Sequence, residues 1–148
     1  MIQKDFPDHH DAELVIKLYE LRREPVMREA RAAVFRELLP RSTDELVAAA
    51  QPANPLAPSF RQVMTYWEMA YGMIRHGVLH ADFMLDCNGN EGMFFFARVA
   101  PFVAEYRERQ GNPYAFQHTE WVATQTEAGK RWFALYRGRV ERQLAAKS

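Results

Sequence analysis

Glu68, Arg75, His76 and His80 are the residues of this chain whose types and spacing could do chemistry. His76 and His80 are four apart. On a continuous helix their imidazoles would share a face, and an oxygen from Glu68, Asp82 or Asp86 could complete a metal site. Gly77 lies between them, where the helix is expected to end, and the glutamate of the H-E-x-x-H hydrolase motif is missing. No metal is therefore expected here, and His76 reads as a cation at a helix C-terminus. Glu68 sits seven residues from both Arg61 and Arg75. A carboxylate on an enclosed helix must pair with a cation or shift its pKa. One reading makes Glu68 a ligand-orienting or acid–base group in a cleft. The other, which is the expectation, makes it a structural ion pair with Arg22, Arg23 or Arg28 from a neighbouring helix. Glu68, Arg75, His76 and His80 stand together as candidate ligand-binding residues, and no catalytic residue is assigned.

The element that must position them runs from Phe60 to His76. Its polar residues Arg61, Thr65, Glu68, Gly72 and Arg75 recur at steps of four and three, so they form one narrow stripe of an α-helix. Almost everything else there is apolar, Trp67 and Tyr71 included, so other helices must surround it. Before it, Asp8 or Asp11 can cap a first helix with Leu14, Val15, Leu18 and Leu21 on its buried face. Pro25 either kinks that helix or opens a second one. Ser42-Thr43-Asp44-Glu45 starts a short segment, and three prolines between Gln51 and Pro58 make a loop. After it, His80 to Cys87 can form a short helix and Asn88 to Gly92 a turn. Met93 to Gln110 reads as one helix kinked at Pro101. Tyr114 to Leu144 is helical in spacing, with Thr126 able to cap a separate last helix. No run alternates long enough for a strand. The expectation is an all-α, single-domain bundle spanning residues 1–148, with about four long helices and short connecting ones.

Nineteen basic residues balance nineteen acidic ones, so no net field draws in nucleic acid or an anionic membrane. Cys87 is the only cysteine, which excludes an intrachain disulfide and a cysteine-built zinc site and suits a reducing cytoplasm. The N-terminus lacks the apolar core of a secretory signal, and no segment approaches the roughly 20 apolar residues of a membrane span. Glycine-rich phosphate loops, G-x-S-x-G elbows and EF-hand loops are missing, and no cofactor is implied. His9, His10, Asp11 and His118 read as solvated positions near helix starts. Aromatics make up 13% of the chain. At helical spacing they are expected in the core or a dimer interface rather than around a flat ligand. The last helix gathers Lys130, Arg131, Arg137, Arg139, Arg142 and Lys147, without the spacing of a DNA-reading motif, and reads as a solvated face.

Two segments carry a resemblance: Leu21-Arg22-Arg23-Glu24-Pro25-Val26-Met27-Arg28-Glu29-Ala30-Arg31, and Tyr66-Trp67-Glu68-Met69-Ala70 leading to His76-Gly77-Val78-Leu79. With Pro101-Phe102-Val103, the chain resembles small uncharacterised bacterial proteins of unknown function and all-helical structure. The resemblance implies a helical bacterial cytoplasmic protein and carries over no site residue. The resulting expectation is a non-enzymatic interaction module that pairs with itself, with Trp132, Phe133, Tyr136 and Val140 of the last helix as the candidate patch; the other reading of these residues is that they complete the intrachain core. The alternative is a small-molecule or metal-binding bundle built on the polar stripe. Nucleic-acid association ranks third.

Overall fold

A computed structural model describes residues 4–147. The described residues are helical with no strand: α1 (His9–Arg23), α2 (Pro25–Glu37), α3 (Thr43–Ala49), α4 (Ala57–Arg75), α5 (Ala81–Met84), α6 (Glu91–Val99), α7 (Val103–Gln110), α8 (Gln117–Gln125) and α9 (Glu127–Ala146). A π-helical turn, Leu85–Gly89, joins α5 to α6, and a 3₁₀ turn, Ala100–Phe102, joins α6 to α7. The bundle is the all-α architecture that the spacing predicts. None of these helices is long and apolar enough to cross a membrane.

Local chemistry sets most boundaries. The Asp8 side chain accepts from the His10 and Asp11 amides while Asp11 accepts from the Asp8 amide, a reciprocal cap on α1. Pro25 opens α2 at its first turn, where a missing N–H costs nothing. Ser42 caps α3 through the Glu45 amide. At Pro101 the expected kinked helix becomes two helices joined by the 3₁₀ turn. Thr126 ends α8 and caps α9, accepting from the Gly129 amide at 2.9 Å and donating to the Val122 carbonyl at 2.8 Å. Gly129 has a reason to be glycine: a Cβ there would lie 1.9 Å from the Val122 oxygen. The two helices meet too closely for any side chain.

Helix α4 is the central element, packed against α2 on one side and α8 on another. Trp67, Tyr71, Val63 and Ala70 are fully buried. On the far side of the core α6 packs against α9. Here the structure corrects the expected dimer patch. Phe133 packs on Phe96 at a ring separation of 5.5 Å, and Tyr136 stacks on Phe94 at 4.8 Å. Val140 is buried, and the Trp132 indole N–H donates to Asp86 at 3.0 Å. These residues complete the core of their own chain.

A polar cluster lies inside the bundle around the π-helical turn. Glu91 takes a two-point ion pair from Arg31, both contacts at 2.8 Å, with the buried Arg22 at 3.8 Å. Arg22 also donates to Asn88 and lies over the Trp67 ring at 5.5 Å. The Tyr66 hydroxyl donates to the Leu18 carbonyl at 2.6 Å, Tyr71 to that of Gly89 at 2.5 Å, and Tyr136 to the Asn90 side chain at 2.6 Å. Burial pushes the Tyr66 phenol up to about 12 and that of Tyr71 well above its ordinary range. Both therefore stay protonated donors.

Candidate functional site

The C-terminal half of the polar stripe, Glu68, Gly72 and Arg75, meets α8, whereas Arg61 and Thr65 are exposed. Helix α8 begins unusually. Phe116, in the capping position, has φ of 61° and offers no side-chain acceptor. A left-handed backbone costs a phenylalanine roughly 1–2 kcal/mol. What holds it is burial: its ring lies among Phe60, Phe95, Phe96 and Tyr106, at centroid distances of 5.7–6.3 Å. The first amides of α8 then need an acceptor from elsewhere.

Glu68 is that acceptor. One carboxylate oxygen takes the Thr119 amide at 2.8 Å and the Thr119 hydroxyl at 2.6 Å; the other takes the His118 amide at 3.2 Å. A full negative charge at a helix N-terminus gains from the aligned peptide dipoles as well as from the hydrogen bonds. The expected ion pair to Arg22, Arg23 or Arg28 does not form. Arg22 meets Asn88 and Glu91, and Arg28 donates to the Arg23 carbonyl. Glu68 bridges α4 to α8 in place of an arginine.

His118 follows from this docking. Its ring lies against Gly72, where a Cβ would come within 3.2 Å of Cδ2, and meets the His76 ring edge-on at 5.7 Å. Burial lowers the His118 pKa, Glu68 opposes that, and Arg75 and His76 add to the lowering. A neutral imidazole is thus favoured, with Nδ1 buried and unpartnered. The expectation of a solvated His118 is corrected: glycine at position 72 makes room for it.

His76 and His80 part company at the end of α4. The Val78 amide donates to Met73 at 2.9 Å and the Gly77 amide to Ile74 at 3.0 Å, with Gly77 at φ 76°. This is the double turn by which glycine closes a helix. His76 is the last half-helical residue and is exposed. His80 instead caps α5, its Nδ1 accepting from the Phe83 amide at 3.0 Å. Its own amide donates to Asp11 at 2.8 Å. Among the described residues no three His, Cys, Asp or Glu side chains come together as a metal site would require.

Asp11, expected as a solvated position, is also corrected. It is fully buried and takes the Asp8 and His80 amides and the Lys4 ammonium, each at 2.8 Å. Burial alone would raise its pKa; the Lys4 and backbone hydrogen bonds outweigh it and hold the carboxyl at about 2. The Asp8-to-Asp11 spacing signalled the cap. Nothing in sequence signalled His80, 69 residues away.

Three of the four candidate residues thus gather where α4 meets α8. Glu68 and His76 line a shallow groove of about 460 Å³ with Met69, Met73 and Val78. Arg75 lines a separate cleft of about 370 Å³ with Trp121 and Arg107. His80 is elsewhere, at the start of α5.

Residues 7–132 match a family described as a domain of unknown function, DUF4760, and the chain belongs to that family. The matched span holds α1 to α8 and ends within α9, so the whole seam lies inside it. No curated protein and no solved structure matches the chain.

Proposed function

We propose that this chain works as one helical unit, a non-enzymatic interaction module that pairs with a second copy of itself through α4. The observation that carries the reading is an exposed apolar surface centred on Met69. Met69 is 45% exposed and borders two grooves. One, of about 350 Å³, lies against α1 and α2 and is lined by Leu21, Met27 and Tyr66. The other is the groove that Val78 and His76 line. Leu21 and Val78 are 40% and 52% exposed, so the apolar surface continues to both sides.

Glu24, Gln62 and Thr65 edge this surface with polar groups. An apolar centre with a polar rim is the common anatomy of a protein interface. The balanced charge, 19 against 19, leaves no long-range repulsion between two copies. The non-enzymatic part rests on use: Glu68 and His80 are occupied as helix caps. We also place the domain in the cytoplasm, where a lone exposed thiol such as Cys87 stays reduced.

Sedimentation velocity at micromolar concentration tests the reading. The chain should sediment as a dimer and Met69→Lys as a folded monomer. A wild-type monomer, or a dimer indifferent to Met69→Lys, contradicts it. Small-molecule binding is a second reading that one residue, Arg75, specifically favours.

A further inference from the structure

Arg75 differs from Arg107, the other arginine of its cleft, in having no carboxylate as an ion-pair partner. Among the described residues no carboxylate lies within the 4.0 Å of an ion pair. Its Nε is buried with no hydrogen-bond partner. Its guanidinium lies over the Trp121 ring, 5.9 Å from the centroid. Arg107, across the same cleft, is the contrast: Nε donates to the Ala115 carbonyl at 2.8 Å and Nη1 to Glu120 at 3.1 Å.

The cleft is built by α4, α7 and α8. Arg75, Arg107, Gln117, Glu120, Trp121 and Thr124 line it. Two guanidinium groups against one carboxylate leave a single positive charge. The volume, about 370 Å³, suits a small molecule. The indole of Trp121 supplies one flat apolar wall; Gln117 and Thr124 supply neutral polar groups.

We infer that this cleft binds a small aromatic carboxylate, its carboxyl on the Arg75 guanidinium and its ring against Trp121. A planar carboxylate matches the guanidinium fork at two points. A flat ring gains from the indole face as aromatic pairs do. Phosphate fits worse: a dianion exceeds the one surplus charge, and Glu120 would repel the excess. The site shares no lining residue with the Met69 surface, so the two readings stand or fall separately.

Benzoate, acetate and inorganic phosphate are the probes, titrated into the full chain while the Trp121 indole N–H is followed by NMR. Benzoate should shift that signal saturably, and more tightly than acetate or phosphate. Arg75→Gln should weaken benzoate about tenfold, the scale of losing a hydrogen bond to a charged group. Arg75→Lys, which keeps the charge and loses the fork, should fall between. Both variants should melt cooperatively and close to wild type, since Arg75 closes no ion pair and loses only its contact with the Trp121 ring and, in Arg75→Gln, a charge at the α4 C-terminus. No saturable benzoate shift, affinity unchanged in Arg75→Gln, or phosphate binding more tightly than benzoate would each overturn the assignment.

Discussion

Two polar regions of this bundle invite comparison: the α4–α8 seam and the cluster around the π-helical turn. Both use charged side chains of α4 or its neighbours. The cluster is closed. Glu91 is met by Arg31 and Arg22, and three tyrosine hydroxyls each reach an acceptor. Around it, among the buried side-chain atoms of the described residues, Trp67 Nε1 lacks a hydrogen-bond partner. The seam is half open: Glu68 is satisfied by backbone amides, while Arg75 and His118 keep unpartnered nitrogens. Sequence shows only the seam's acid and arginines at helical spacing; Arg31 and Glu91 are 60 residues apart, and nothing local pairs them. The difference lies in the partner. A closed ion pair fixes the core, whereas a carboxylate spent on a helix N-terminus leaves its neighbouring cation free for a ligand.

The largest expected effect tests the closed region. Trp67→Ala should destabilise by roughly 3–5 kcal/mol, the scale of removing a fully buried aromatic. A denaturant midpoint equal to wild type would break the picture of α4 as the core helix. Glu91→Ala should cost about 2–3 kcal/mol. That lies below a fully buried pair because Glu91 and Arg31 keep some exposure. The same denaturation series checks it. A loss smaller than that of Glu68→Ala would reverse the ranking of the two regions.

Asp11 gives the next effect, and it has a pH signature. Its folded pKa, about 2, lies below the usual 3.8. The stabilisation is therefore complete above pH 3.8 and disappears as pH falls through 2. Its size is roughly 1–2 kcal/mol, reduced because Lys4 is partly in water. In Asp11→Asn the melting temperature at neutral pH should drop, and its further fall below pH 4 should be shallower than in wild type. Parallel pH curves would contradict the buried, ionised Asp11. His118 works in the same direction at higher pH. With its pKa lowered on folding, it favours the folded state above its ordinary pKa and loses that as pH drops through the folded value.

How much of this was legible in sequence follows the range of the interaction. Helix α4, the cap at Ser42, Pro25 at the start of α2 and the break at Thr126 are local, and the residue types announce them. Trp67 in the core follows from the position of the stripe. Glu68 was found as a special residue but given the wrong partner. Its true partners are the amides of residues 118 and 119, and a backbone amide has no residue-type signature. The Phe116 backbone that frees those amides is likewise invisible in the sequence. Trp132, Phe133 and Tyr136 illustrate the opposite limit. An aromatic stripe on a helix fits a core and an interface equally well, and only the placement of α6 decides between them.

The central claim is that Glu68 acts as a helix cap rather than as a group in chemistry. Amide hydrogen exchange at His118 and Thr119 tests it most directly, in wild type and in Glu68→Gln, which keeps the shape and removes the charge. The variant should lose about 1 kcal/mol of overall stability. Exchange at these two amides should quicken by more than that global loss explains, while amides in α6 follow the global change alone. Unchanged protection at His118 and Thr119 in Glu68→Gln would contradict the claim and return Glu68 to the candidate ligand-binding residues.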